Sequence, residues 1–143
     1  MNKILVSACL LGEPVRYDGN SLVNDHALLK HWQQQKRLIA FCPEVSGGLS
    51  TPRPPAEIIS SSSNIIGGQA VLVGQASIQT QTGQDVSDEF LKGAHLALTL
   101  CQQHNIQFAL LSARSPSCGN MQIYNGQFNK TLIDGLGVTA ALL

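Results

Sequence analysis

The sequence predicts a single α/β domain, a mostly parallel sheet covered by helices in three layers, with one small β-hairpin. Three observations predict it. The short continuous apolar runs "KILVSA", "LIAF" and "FALLSA" have the pattern of strands buried on both faces. Stretches of helical apolar spacing separate these runs, and such alternation points to parallel strands joined by crossovers. The chain has 143 residues, enough for one core and too few for two independent ones. Residues 1–143 are therefore expected to form one Rossmann-like unit.

The first strand, Lys3 to Ala8, stops at "CLLGEPVRYDGN", a loop rich in Gly, Pro and Asp. From Ser21 to Lys36, Leu22, Val23, His26, Leu29 and Trp32 recur near helical spacing and predict a helix with a polar tail. "LIAF" is the second strand and ends at Cys42. "CPEVSGGLSTPRPPAE" is too proline-rich for a helix or a central strand and reads as a long loop. Loops of that length in compact domains are usually functional or disordered. "SSSSN" reads as flexible linker. In "QAVLVGQASIQTQTG", Val71, Val73, Ala76 and Ile78 flank Gly74, which predicts a hairpin or two short edge strands. Asp85 to Asn105 reads as a long helix capped by Asp85 or Ser87, with Phe90, Ala94, Ala97 and Cys101 on one apolar stripe. "FALLSA" is the third strand and runs into "RSPSCGN". "GQFNKTLIDGLG" is poorly periodic, and "VTAALL" begins an apolar helix.

Nine basic residues balance nine acidic ones, and only 13% of the chain is charged. Such a chain has no long-range field to draw in a polyanion, which argues against a general nucleic-acid or anionic-membrane binder. "VSAC" ahead of Cys9 mimics a lipoprotein cleavage box. Only "ILVSA" lies between Lys3 and Cys9, however, short of the roughly 7–15 apolar residues of a secretory signal. No stretch approaches the ~18–20 apolar residues of a spanning helix. The expected location is the cytoplasm, where four cysteines are a poor match to a disulfide frame.

In an open parallel sheet, ligands bind outside the carboxyl ends of the strands. Cys9 and Cys42 directly follow predicted strands, and Cys118 lies in the loop leaving the third. Cys101 differs, since it lies on a helical apolar stripe and is expected to be buried. His26, His31, His95 and His104 all fall in predicted helices, away from the strand-end loops. Zinc commonly includes histidine among its ligands, whereas iron–sulfur clusters are held by thiolates, often with a proline beside a ligand cysteine, as in Cys42-Pro43. With three protein ligands, one iron of a four-iron cluster stays open as a sulfur-binding Lewis acid. The spacing contains no compact C-x-x-C, so a cysteine nucleophile and buried structural thiols stay open as readings.

The blocks "SACLLGEPVRYDG", "FCPEVSGGLSTPRPPAEI" and "SARSPSCG" resemble the thiouracil desulfidase family, and the resemblance runs from Ser7 to Leu143. It implies a 4Fe-4S cluster held, by motif position, by Cys9, Cys42 and Cys118. It implies removal of sulfur from a thiolated pyrimidine without net redox change, leaving the oxo base and hydrosulfide. Glu44, in "CPE", becomes the expected general acid–base, and Ser115 and Ser117, in "SPSC", are expected to position the base or the attacking water. Arg16, Tyr17, Asp18, Gly47, Gly48 and Arg53 are further candidates for substrate binding. Each has a plainer reading: Arg53 can pair with Glu57, Asp18-Gly19 favours a turn, and the glycine pair merely allows close backbone approach.

Two readings from other classes stand beside it. One is an iron–sulfur or metal sensor that holds a thiolated ligand without turnover; the other is a hydrolase with Cys118 as nucleophile. Family members usually continue beyond "GVTAALL", so an apolar end at Leu143 leaves a shorter natural form or a homodimer as expectations. Some longer relatives carry a C-terminal domain associated with RNA. Without it or a basic face, free bases, nucleosides or nucleotides are expected as substrates rather than tRNA.

Overall fold

Strand β1 (Ile4–Ser7) is buried at every position, as its unbroken apolar run requires. It is the middle strand of a parallel three-stranded sheet, between β2 (Leu38–Phe41) and β5 (Phe108–Leu110). The computed structural model describes residues 1–22, 25–60 and 64–143. A three-stranded sheet has one interior strand, so the expectation of full burial fails for β2 and β5. Phe108 on β5 stands 60% exposed.

Helix α1 (Ala27–Gln34) starts later than its periodicity suggested. His26 caps it, its Nδ1 accepting from the Leu28 N–H at 3.2 Å. Leu22 belongs to the loop after β1, where its N–H donates to the Cys9 carbonyl at 2.9 Å. Val23, counted toward that helix, lies outside the described residues. Leu29 buries against Ile4 and Val6, forming the smaller of two cores.

The proline-rich stretch is not a continuous loop. Pro43 opens a short helix, α2 (Pro43–Ser46), at a position where its missing N–H has no helical partner to lose. Strand β3 (Ala56–Ser60) follows the last prolines and pairs antiparallel with β4 (Ala76–Thr80). The hairpin expected around Gly74 is therefore corrected: its first arm is a helix, α3 (Gly67–Leu72). Gly74, at φ 77°, closes that helix, its N–H bonding to Val71 and that of Gln75 to Ala70. This is a Schellman cap, a second use for a glycine flanked by apolar residues. Within "SSSSN", residues 61–63 lie outside the described residues.

Helix α4 (Ser87–Gln103) buries Phe90, Gly93, Ala94 and Ala97, while Cys101 is only half-buried. Neither expected residue is the cap, which is Val86 without a side-chain bond; Asp85, one residue earlier, accepts at Oδ1 from the Ser87 N–H at 2.9 Å. The Ser87 hydroxyl instead accepts from Ile78 on β4 at 2.8 Å. The poorly periodic stretch holds β7 (Leu132–Asp134), which pairs antiparallel with β6 (Gln122–Tyr124). Three-residue strands are too short to show a period. Helix α5 (Val138–Leu142) ends the chain.

The larger core joins Ile58, Val71, Ile78, Val86, Phe90, Ala94, Ile123 and Val138 from β3, α3, β4, α4, β6 and α5, together with the approach to α4. Its consequence for the site is the seating of α2 on α4. A Cβ on Gly93 would overlap the Pro43 carbonyl, and one on Gly47 would overlap the Glu89 carbonyl. The two helices thus meet backbone to backbone, which fixes where Glu44 stands. The result is a mixed α/β unit with one parallel sheet and two antiparallel pairs. Among the described residues no helix is long and apolar enough to cross a membrane.

Candidate active site

Parallel register delivers three chain segments to one rim. Ser7 pairs with Phe41 and Val6 with Leu110, so β1, β2 and β5 leave the sheet on the same side. Just past that edge come Cys9, in the 3-10 turn Ala8–Leu11, and Cys42, the residue that enters α2. Cys118 follows in the loop leaving β5. The Ser7 hydroxyl accepts from the Ser112 N–H at 2.8 Å, tying that loop to the end of β1. All three cysteines line one cavity of about 480 Å³, together with Arg16, Tyr17, Glu44, Arg53 and Ser115.

Burial governs the thiols. Cys118 is 4% exposed, and its desolvation, reinforced by the Glu44 charge, pushes it up to about 12. Cys9 and Cys42 are also raised, chiefly by burial; a hydrogen bond with Ser112 holds Cys9 back in part, and the Val45 N–H does so for Cys42. An activated sulfur nucleophile needs the opposite shift and usually a base beside it. Among the described residues no histidine lines the cavity.

The donor set can be judged on its chemistry. Such thiols ionise readily beside the concentrated positive charge of a metal centre. Among the described residues, no three His, Cys, Asp or Glu side chains are grouped to hold a single metal ion. Three soft donors without an imidazole, around a cavity of this volume, fit an iron–sulfur cluster better than zinc.

Glu44 is the acid beside them, since its charge acts on Cys9, Cys42 and Cys118 alike. Its side chain is 18% exposed and that of Arg53 is 6% exposed. Arg53 Nε donates to Glu44 Oε1 at 3.3 Å, and the Ser115 side chain also bonds to the carboxylate. Burial outweighs both contacts and leaves the Glu44 carboxyl above its ordinary range.

Arg53 does not pair with Glu57. Its remaining nitrogens donate to the Ser50 and Val15 carbonyls at 3.1 and 2.9 Å and to Thr51 Oγ1 at 3.0 Å. Every guanidinium nitrogen is thus engaged within the protein, stitching the loop after β1 to the one before β3. Arg16 lies over the Tyr17 ring at 5.9 Å, and both line the cavity.

Four other candidates do not line the cavity. Ser117 is fully buried and not part of the cavity lining; its hydroxyl lies 2.8 Å from that of Thr139 and accepts from the Cys118 thiol at 3.8 Å. The Asp18 carboxylate accepts from the Asn20 N–H at 3.0 Å, which draws it below the usual range and fixes a turn. Gly47 makes its close approach to Glu89, not to the cavity, and Gly48, at φ 109°, serves the turn after α2. Ser115, by contrast, lines the cavity, and its Oγ accepts from the Ser117 and Cys118 N–H groups at 2.9 Å each.

Sequence reasoning missed Glu57, Gln81, Arg114, Tyr124, Phe128 and Lys130, which complete much of the wall. The acid inside "AEII" was a usable signal, because a carboxylate within an apolar strand needs a reason to be there. A smaller groove of about 270 Å³ beside Cys101, Phe108 and Leu143 has no charged side chain in its lining and is separate from this chemistry.

Three likenesses agree with the geometry. Residues 4–143 match the 2-thiouracil desulfurase family. The chain is 42% identical over 140 residues to the uncharacterized protein YbbK of Bacillus subtilis (strain 168), covering 98% of this chain and 88% of that one. A solved structure of the 4Fe-4S-dependent thiouracil desulfidase TudS is 48% identical with a TM-score of 0.86, covering 99% of this chain and 84% of that one. Sequence and fold together place this chain in the 2-thiouracil desulfurase family.

Proposed function

We propose that this chain removes sulfur from a thiolated pyrimidine of the thiouracil type and leaves the oxo base and hydrosulfide. The observation that carries the reading is the convergence of Cys9, Cys42 and Cys118 with Glu44 and Ser115 on one cavity. Cys9, Cys42 and Cys118 would hold a 4Fe-4S cluster, the cofactor on which the solved relative depends. When bound, that cluster supplies a Lewis-acidic iron with affinity for a soft thiocarbonyl sulfur.

In the net reaction the ring carbon gains a bond to water oxygen and loses its bond to sulfur. No electrons are gained or lost overall. Glu44 takes a proton from the attacking water and returns one as sulfur departs. Burial keeps its carboxyl above the usual range, closer to the pH at which it must do both. Ser115 holds that carboxyl by a side-chain hydrogen bond while its oxygen is fixed by two main-chain N–H groups. Arg53 pairs with it through Nε. With nine basic and nine acidic residues and no basic run, free bases, nucleosides and nucleotides suit the site better than RNA.

The test is turnover of 2-thiouracil by protein loaded anaerobically with iron and sulfide, without added reductant. Uracil and hydrosulfide are expected in equal amounts, many times over per chain. Release limited to a single stoichiometric equivalent would make the protein a binder or sensor. Undiminished activity of the iron-free protein would transfer the chemistry to a cysteine nucleophile.

A further inference from the structure

Part of the cavity wall comes from the turn joining β6 to β7. Along it, Gly126, Phe128 and Lys130 take left-handed backbone conformations, at φ 88°, 54° and 61°. Glycine adopts this region freely, but a bulky residue such as phenylalanine stays there only when its surroundings impose it.

Glu57, on β3, imposes it here. Its Oε1 accepts from the Gly126 N–H at 2.9 Å and from the Phe128 N–H at 3.3 Å. Two N–H groups aimed at one anion form a nest, filled in this case by the protein's own carboxylate. Glu57 is 8% exposed and sits in register with Gln79 of β4, so its position is set by a paired strand. The turn is also pressed onto that strand, because a Cβ on Gly126 would come within 2.6 Å of the Ile58 carbonyl oxygen. Asn125 and Asn129 brace it from within, each Oδ1 accepting from the N–H two residues on. Glu57, Tyr124, Phe128 and Lys130 all line the cavity that holds the thiols.

We infer that Glu57 is a positioning residue: through the main chain of Gly126 and Phe128, it holds the Phe128 ring as the wall against which a planar thiopyrimidine stacks. The identity of that ring rests on the desulfidase reading, while the anchoring of the turn stands on its own hydrogen bonds. Glutamine presents the same Oε1 acceptor to both N–H groups, whereas alanine presents none. The role therefore requires an acceptor at this position and no proton transfer.

The experiment measures KM and kcat for 2-thiouracil, and its equilibrium binding, on cluster-loaded wild type, Glu57→Ala, Glu57→Gln, Phe128→Ala and the double alanine variant. Glu57→Ala and Phe128→Ala are each expected to raise KM about tenfold, the size of one base-stacking contact, with kcat within about twofold of wild type. The double variant is expected to lose no more than Phe128→Ala alone, since both changes remove one contact. Glu57→Gln is expected to keep the wild-type KM. If Glu57→Ala does not fold, Phe128→Ala and Glu57→Gln carry the same test.

Unchanged KM in Phe128→Ala, or additive losses in the double variant, would overturn the inference while leaving the desulfidase reading intact. If the wild type binds 2-thiouracil without turning it over, the desulfidase reading fails and the inference is judged on affinity. Weaker binding by Phe128→Ala would then support it, and equal binding would overturn it. A wild type that does not bind 2-thiouracil overturns both.

Discussion

Glu44 is held between two opposing influences: burial favours its neutral form, and Arg53 favours its charge. Either influence alone would leave a carboxyl locked in one state, and together they suit a group that must hold and release a proton. Glu44→Gln keeps the shape and an acceptor for Arg53 but cannot carry a proton. It is expected to retain its iron and to lose about a hundredfold or more in kcat, measured by hydrosulfide release. Full activity in that variant would dismiss Glu44 as the proton carrier. Arg53 makes a different prediction, because its nitrogens are committed to Glu44, Ser50, Thr51 and Val15. Arg53→Met leaves a largely buried acid without its cation and is expected to lower stability by about 3 kcal/mol in chemical denaturation. A loss below about 0.5 kcal/mol, with only KM changed, would make Arg53 a substrate ligand instead.

Among the elements, α2 has only four residues and is held by what it rests on. Gly93 and Gly47 let α2 and α4 approach through their backbones. Gly93→Ala places a methyl where the Pro43 carbonyl lies, so α2 must move and carry Glu44 with it. The expected cost is about 2 kcal/mol of stability together with reduced kcat, read by denaturation and turnover of the same variant. Unchanged values for both would mean that the α2–α4 contact does not set the site. How much of each element could be read from the sequence follows from this kind of context. β1 and α4 were legible because their burial imprints a period or an unbroken apolar run. β2 and β5 carry the same apolar runs, yet they are sheet edges, and composition does not distinguish an edge from a centre. Gly74 was ambiguous because a hairpin turn and a helix cap make the same conformational demand. Pro43 reads as a loop residue because a first-turn proline and a loop proline look alike until the chain around them is folded.

For the whole molecule, topology is what gathers the site. Cys9, Cys42 and Cys118 are distant in sequence, and a parallel sheet brings their strand ends to one rim. That much was readable from apolar runs followed by cysteine. The wall formed by Glu57, Tyr124 and Phe128 was not, because it depends on two antiparallel pairs whose partners no local pattern announces. Ser117 shows what motif position does not convey: its hydroxyl is packed against Thr139 in the interior, and it meets the Cys118 thiol from there, at 3.8 Å, rather than from the cavity. The central claim is that these three cysteines, and not Cys101, hold one inorganic cofactor. The most direct measurement is the iron and acid-labile sulfide content of anaerobically reconstituted protein, wild type beside the four single Cys→Ser variants. Wild type and Cys101→Ser are expected to hold about four of each per chain with broad visible absorption, while Cys9→Ser, Cys42→Ser and Cys118→Ser lose most of both. Full iron content in any of those three variants, or its loss in Cys101→Ser, would contradict the account.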